Sequence, residues 1–210
     1  MLEFLTPLNA DSLAIDGINY HTRFKDLLHN IYTCYEFMIE DDITVPNNEN
    51  DIRDILVDNY LAIKISDYTF EKEKSNEYGR VDIYIRKTLD DEKPHFIIEC
   101  KRLDKTKGQD GLNGKYVSNG IHRFLREHYY LSNNFNINAM IGFVIENVDI
   151  SLNIVEINNL SKQYFKNTIE IKQCITPLDT ILYTSSYQTG KPSKDFFIYH
   201  LMMDFSKNIS

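Results

Sequence analysis

Apolar and polar residues alternate along two short runs near the middle of the chain, residues 79–85 and 95–101. Both runs are rich in β-branched and aromatic residues, a combination typical of β-strands. The polar segment 89–94 separates them and ends at a proline, which favours a turn. The simplest interpretation is an antiparallel β-hairpin, and the remaining elements are placed around it.

Hydrophobic spacing predicts the elements on either side of this hairpin. Apolar residues recur at helical spacing in residues 21–39, 46–63, 117–131 and 154–165. Strand patterns outside the hairpin fall at residues 67–73, 138–146, 168–173, 180–187 and 196–203. Residues 138–146 are continuously apolar, which favours a central strand covered on both faces and joined in parallel through the preceding helix. The first 20 residues show no such period, and we expect an irregular arm or a short strand there.

One face of the predicted hairpin carries three charged side chains. If the turn is centred on Asp90 and Asp91, Asp82 lies directly opposite Glu99. Opposite residues share a face, with Cβ atoms roughly 4.5–5.5 Å apart. Lys101 lies two residues beyond Glu99 and shares the same face. Facing carboxylates repel each other and weaken a hairpin unless a cation neutralises them.

Two carboxylates and a lysine are suited to metal-dependent phosphodiester hydrolysis. Mg²⁺ prefers oxygen ligands and is often held by one or two carboxylates, waters and a substrate phosphate. It lowers the pKa of a bound water, and a nearby lysine helps to neutralise the charge that develops on phosphorus. Asp82 and Glu99 are therefore candidate ligands of Mg²⁺ or Mn²⁺, with Lys101 as a candidate catalytic residue. The competing interpretation is an exposed strand face with a cross-strand ion pair, which would not require such an apolar run before Glu99.

The order of these residues also carries a family resemblance. Asp82, followed on the next apolar strand by Glu99-Cys100-Lys101, resembles the PD-(D/E)XK nuclease superfamily, which has the restriction-endonuclease-like fold. The resemblance implies that Asp82 and Glu99 bind the metal and that Lys101 acts at the attacking water. The sequence departs from the family pattern at Val81, where a proline often precedes the aspartate.

The resemblance further implies an acidic residue on a helix before the hairpin. Glu49 is the best match, because it shares a helix face with Ile52 and Leu56 and is therefore turned towards the sheet. Asp51 is the reserve candidate. Acids in the first turn of a helix are also favourable without a metal, since they lie at the positive end of the helix dipole. Both interpretations of Glu49 stay open on the sequence.

Charge is unevenly distributed along the chain. The net charge is −8, whereas nucleic-acid-binding proteins usually carry a basic surface. Residues 101–126 nevertheless contain seven basic residues and two acidic ones, which gives +5 for this segment and −13 for the rest. We expect the segment to contact nucleic acid through Arg102, Lys105, Lys115, Asn119, Arg123 and Arg126. Arg123 is the preferred phosphate contact because guanidinium suits phosphate oxygens; an exposed arginine paired with nearby acids is the alternative.

Other features narrow the range of functions. The three cysteines are scattered without a Cys-x-x-Cys pair, so neither a zinc site nor a disulfide framework is predicted. The glycine-rich segment 104–116 does not match a phosphate-binding loop, because its spacing differs and Tyr116 replaces the required Ser or Thr. A loop that closes over substrate and a flexible connector both remain open for this segment. No signal peptide or membrane span is recognisable, so we expect a cytoplasmic protein without membrane contact.

The sequence therefore predicts a single α/β domain over residues 1–210. We expect a restriction-endonuclease-like mixed β-sheet with the hairpin at its centre, helices on both faces and additional C-terminal strands. The expected activity is that of an Mg²⁺- or Mn²⁺-dependent DNA endonuclease, similar to restriction or anti-phage defence nucleases. Two alternatives are a catalytically inactive nuclease-fold subunit that binds or assembles within a larger complex, and a phosphodiesterase acting on RNA or a nucleotide. DNA is the expected partner, and a protein partner or a homodimer is compatible with the sequence.

Overall fold

A computed structural model describes residues 10–76, 79–88, 95–125, 136–165, 168–175, 181–189 and 194–210. The helices are α1 (Ala10–Glu40), α2 (Glu49–Leu56), α3 (Ala62–Lys64), α4 (Leu112–Lys115), α5 (His122–Leu125) and α6 (Ile150–Tyr164). Two π-helical segments, Val57–Leu61 and Tyr116–Ile121, join α2 to α3 and α4 to α5. The strands are β1 (Tyr68–Asn76), β2 (Gly79–Lys87), β3 (Phe96–Leu103), β4 (Ile137–Val144), β5 (Thr168–Gln173), β6 (Leu182–Thr189) and β7 (Lys194–Asp204).

Within this part of the chain, seven strands form one mixed sheet in the order β1-β2-β3-β4-β7-β6-β5. The pairs β3–β4 and β4–β7 are parallel, and the other neighbours are antiparallel. The predicted α/β class with a mixed sheet is therefore confirmed. The prediction that the hairpin lies at the centre is wrong, because β7, β6 and β5 extend the sheet on the far side of β4. The central strand is β4, every residue of which is buried, as its continuous apolar run predicted.

Two hydrophobic cores lie on the two faces of the sheet. Side chains of β3 alternate between them: Ile98 belongs to the first core and Ile97 to the second. Helices α1 and α2 complete the first core, for example through Phe24 and Ile52. The helical stretch from α4 to α5 and helix α6 complete the second, for example through Phe124. Helices therefore cover both faces, as the sequence predicted.

Helix α1 begins much earlier than the sequence predicted. It starts at Ala10, so the expectation of an irregular arm or short strand over the first 20 residues is wrong for residues 10–20. Among the side chains whose burial is described, those of Tyr20 and Phe24 are buried, and this later part of the helix is the part that hydrophobic spacing predicted. Asp16-Gly17 also resembles a turn dipeptide, yet the helix continues through it.

Several predictions fall partly outside the described residues. The helix predicted for residues 117–131 is helical as far as Leu125, and residues 126–131 lie beyond what the structure describes. The turn at Asp90 and Asp91 also lies outside the described ranges, although both strands of the hairpin lie within them. None of the described helices combines the length and the apolar character that crossing a bilayer requires.

Candidate active site

The candidate site lies where β2 and β3 stop pairing. Their ladder ends at Ile83 opposite Ile98, and the same register continued by one residue places Asp82 opposite Glu99. Past the end of this ladder, the backbone N–H of Cys100 donates to Asp82 Oδ2 at 2.8 Å. The Asp82 carboxylate thus takes the place of a β2 backbone carbonyl as the acceptor for this N–H. The hydrogen bond holds the carboxylate in one orientation.

The ammonium of Lys101 lies at the centre of a cluster of carboxylates. Its Nζ is 2.8 Å from Glu99 Oε1, 3.0 Å from Glu49 Oε1 and 3.5 Å from Asp82 Oδ2. The same Nζ donates to the backbone oxygen of Cys100. Asp82, Glu99 and Lys101 are all buried, with Glu99 0 % exposed. The three residues singled out from the hairpin pattern therefore meet around the Lys101 ammonium.

Helix α2 brings Glu49 to this cluster. Asn48 caps the helix, because its side chain accepts hydrogen bonds from the backbone N–H groups of Asn50 and Asp51. Glu49 is the first helical residue, and its Oε2 accepts a hydrogen bond from the backbone N–H of Arg102 at 3.1 Å. Asp51, the reserve candidate, is exposed. Glu49 therefore connects the start of α2 to two successive residues of β3.

Two arginines complete the cluster from opposite faces of the sheet. Arg53 on α2 is 2 % exposed, and its Nη1 lies 3.7 Å from Asp82 Oδ1. Nη1 has no hydrogen-bond partner among the described residues. Arg123 on α5 donates from Nη1 to Glu99 Oε1 at 2.7 Å. The sequence reasoning singled out Arg123 but missed Arg53, although Arg53 lies four residues after Glu49 and so shares its helix face.

Burial makes Glu99 hard to ionise. Removal from water and the neighbouring charge of Asp82 raise the pKa of Glu99, while Lys101 and Arg123 lower it, and the balance leaves that pKa at about 7. The two facing carboxylates are therefore only partly compensated by the cations around them. A further positive charge at this point would favour the ionised form of Glu99.

The same surroundings keep Lys101 protonated. Burial alone would lower the pKa of an ammonium, but Glu99, Asp82 and Glu49 together raise the pKa of Lys101 above its ordinary value. Near neutral pH this side chain is therefore a cation and a hydrogen-bond donor. It is unsuited to accept a proton from water in this state.

A close helix–strand approach shields Lys101 from solvent. Gly120, in the π-helical segment between α4 and α5, lies so near β3 and β4 that an added Cβ would be 3.4 Å from Lys101 Cγ and would collide with the end of Met140. A larger residue at this position would have to displace the end of the Met140 side chain. The same helical stretch carries Arg123 into contact with Glu99.

The predicted nucleic-acid contacts are scattered over the edge of the site. Arg102 Nη1 donates to the backbone oxygen and side-chain oxygen of Asn47 at 2.8 and 2.7 Å. Lys105 is exposed and lies 3.3 Å from Glu146 Oε2. Lys115 and Asn119 are exposed on the helical stretch that also carries Arg123, and Arg126 lies outside the described residues. Among the described members of this set, Arg123 contacts Glu99 through its side chain, and Arg102 contacts Glu49 through its backbone N–H.

The carboxylates offer the right donor atoms for a hard divalent cation. Glu49, Asp82 and Glu99 present oxygen atoms, which are the ligands that Mg²⁺ and Mn²⁺ prefer. Among the described residues, however, no group of three or more His, Cys, Asp or Glu side chains is arranged to hold a metal ion. The three carboxylates instead converge on the ammonium of Lys101. The carboxylate oxygens and the incompletely compensated negative charge of Glu99 suit a divalent cation. The Lys101 ammonium lies at the point where the three carboxylates meet.

Comparison with known proteins adds no assignment. No family model, no curated protein and no solved structure matches this chain.

Proposed function

We propose that this chain is a metal-dependent nuclease that hydrolyses phosphodiester bonds in DNA, with a fold of the restriction-endonuclease-like, PD-(D/E)XK type. The observation that carries the proposal is the buried cluster at the open end of the β2–β3 hairpin. There, one ammonium contacts the carboxylates of Glu99, Glu49 and Asp82. Buried clusters of titratable groups with a strongly shifted pKa are concentrated at functional sites.

The arrangement of elements around the cluster supports the fold part of the proposal. An acidic residue at the start of α2 precedes three antiparallel strands, and a parallel strand, β4, follows the one that carries Glu99 and Lys101. This is the order that the family resemblance implies. The C-terminal strands β7, β6 and β5 extend the sheet beyond β4, on the side away from the hairpin.

Asp82, Glu99 and Glu49 are the proposed ligands of Mg²⁺ or Mn²⁺. A cation of this kind supplies Lewis-acid stabilisation and a bound water of lowered pKa. Arg53 compensates the outer oxygen of Asp82, while the Cys100 N–H holds the other oxygen in place. These two contacts fix the direction in which the Asp82 carboxylate points.

Lys101 and Arg123 are the proposed groups that act on the substrate phosphate. Lys101 is held as a cation, so it orients the attacking water and stabilises negative charge, and it does not remove a proton. The Arg123 side chain is 39 % exposed while its Nη1 reaches the buried Glu99. It therefore connects the buried cluster with solvent, where a guanidinium can bind two phosphate oxygens at once.

A cleavage assay tests the proposal. The full chain should be incubated with supercoiled plasmid, single-stranded DNA and RNA, each with Mg²⁺, with Mn²⁺ and with a chelator. We expect cleavage of DNA that needs the cation and that falls by at least about 100-fold in Lys101→Ala, the size of effect typical for loss of a preorganised electrostatic contact. Lys162→Ala is the matched control, because Lys162 is paired at the surface with Glu170 on β5, at the opposite edge of the sheet from the hairpin.

Each outcome of this assay separates the alternatives. Cleavage of RNA without cleavage of DNA would favour a ribonuclease with the same site. Absence of cleavage of every substrate, with unchanged binding of DNA, would favour an inactive nuclease-fold subunit. Equal activity of wild type and Lys101→Ala would refute the assignment of the site.

A further inference from the structure

A second recess lies at the sheet edge where the parallel strands β3 and β4 both end. It is a cavity of about 480 Å³, within the range of small-ligand sites. Lys105 and Lys107 follow β3 and line one wall, while Asn147 and Asp149 follow β4 and line another. In parallel sheets, ligands bind in the crevice outside the carboxyl ends of the strands, and this cavity has that location.

One wall of the cavity is apolar and open to solvent. Leu152 and Val155 on α6 line it, and they are 69 % and 55 % exposed. Val148 adds a third apolar side chain beside them. An apolar rim next to two lysines suits a ligand that carries both a flat apolar body and an anionic group.

The floor of the cavity contains an unsatisfied polar atom. Asn113 lines the cavity and is 1 % exposed. Its Nδ2 donates to the backbone oxygens of Asp104 and Thr106 and to Asn153 Oδ1, whereas its Oδ1 has no hydrogen-bond partner among the described residues. A buried acceptor without a donor is unfavourable. That oxygen is inaccessible to solvent, so the cavity offers a ligand its lysines and its apolar wall.

The segment that carries the lysines is held firmly against α6. The backbone N–H of Gly108 donates to Glu156 Oε1 at 3.2 Å, and Gln109 Nε2 donates to Gln163 Oε1 at 2.7 Å. Gly108 has φ +92°, a conformation that other residues rarely adopt. These hydrogen bonds place the glycine-rich segment beside α6, where it forms one wall of the cavity.

The acidic groups at the cavity are engaged by the protein itself. Asp149 Oδ1 accepts the backbone N–H of Leu152 as the cap of α6. Glu156 holds Gly108, as described, and Glu146 lies 3.3 Å from Lys105. These contacts partly compensate the negative charge of carboxylates that would otherwise repel an anion. Lys107 is exposed at the rim of the cavity.

We propose that this cavity binds one nucleotide of the substrate strand. Its base lies against Leu152 and Val155, and its phosphate lies near Lys105 and Lys107. The proposal rests on the proposed nuclease function and adds a strand-holding subsite to it. Lys105 is four residues after Lys101, so their Cα atoms are at most about 14 Å apart. At about 3.4 Å of helix axis per nucleotide, this distance spans roughly four nucleotides.

The test measures binding of nucleotides to the full chain in the presence of a chelator, so that no cleavage occurs. The probes are the 5′-deoxymononucleotides, with the corresponding nucleosides and inorganic phosphate as separate arms. Two-dimensional NMR should show shifts confined to the residues around the cavity for mononucleotides, with weaker shifts for either fragment alone. Equal binding of inorganic phosphate and mononucleotides would overturn the proposal, because the apolar wall would then have no role.

Paired variants locate the binding. Leu152→Glu should weaken mononucleotide binding by about tenfold or more, and Ile63→Glu, at a helical position 70 % exposed, should change it less than about twofold. Lys107→Glu should have a similar effect to Leu152→Glu, and Lys207→Glu, also at an exposed position, is its control. If the cavity variants and their controls bind alike, the cavity is not the site.

Failure of this inference is distinguishable from failure of the proposed function. Cation-dependent cleavage that Lys101→Ala abolishes but Leu152→Glu leaves unchanged at every substrate concentration would retain the nuclease and remove the subsite. Mononucleotide binding at the cavity without any cleavage would retain a nucleotide site and remove the nuclease.

Discussion

Replacing Lys101 with methionine tests whether its ammonium compensates buried carboxylates. Methionine keeps much of the volume and flexibility of the lysine side chain and removes its charge. In wild type the ammonium is 2.8 Å from Glu99 and 3.5 Å from Asp82, and these two carboxylates are 0 % and 4 % exposed. Loss of one partner of a buried ion pair costs about 3–5 kcal/mol, because the remaining charge stays buried and unpaired.

Two features of the cluster determine the size of the loss. Arg123 still contacts Glu99 in the variant, and Arg53 still lies near Asp82, so we expect the lower end of that range, about 3 kcal/mol. Glu99 can also avoid the penalty by binding a proton, since its pKa is about 7 in wild type. Without Lys101, the pKa of Glu99 rises further. The variant should therefore lose more stability at about pH 8 than at about pH 5, where Glu99 is already neutral in both proteins.

Urea unfolding followed by circular dichroism at about pH 8 and about pH 5 measures both differences. The control is Lys72→Met, because Lys72 forms a surface pair with Asp58 at 2.6 Å and should lose less than about 1 kcal/mol. A loss in Lys101→Met below about 1 kcal/mol at the higher pH, or the same loss at both pH values, would refute the reasoning. A thermal scan should agree, since 3 kcal/mol corresponds to roughly 6–12 °C in a domain of this size.

Three further predictions concern the same region. Burial raises the pKa of Glu99 from 4.5 to about 7, so the contribution of Glu99 to stability should be fully present below about pH 4.5 and fall by up to about 3 kcal/mol as pH rises through 7; this fall should be seen in the urea unfolding of wild type relative to Glu99→Gln. Asn48→Ala removes the cap of α2 and should cost about 1 kcal/mol in urea unfolding, whereas Asn48→Asp should cost little. Gly120→Ala should destabilise by about 1 kcal/mol in thermal unfolding despite the better helix propensity of alanine, because the added methyl group displaces the end of the buried Met140 side chain.

The sequence alone determined the local parts of the site. Alternation within each strand and the length of the turn predict that Asp82 lies opposite Glu99, and the register of β2 and β3 agrees. The continuous apolar run of β4 predicted a strand covered on both faces, and all of its residues are buried. These features depend on neighbours a few residues away, which is the range over which side-chain periodicity carries information.

The tertiary structure decided which distant side chains reach the hairpin. Glu49 and Arg53 come from a helix on one face of the sheet, and Arg123 comes from a helix on the other. Their contacts depend on how closely each helix packs, for example on the approach that Gly120 permits. The position of the hairpin beside β4 and away from the centre likewise depends on where β7, β6 and β5 join the sheet. Periodicity specifies which face of an element is buried, but the partner of that face is set by packing between segments far apart in the chain.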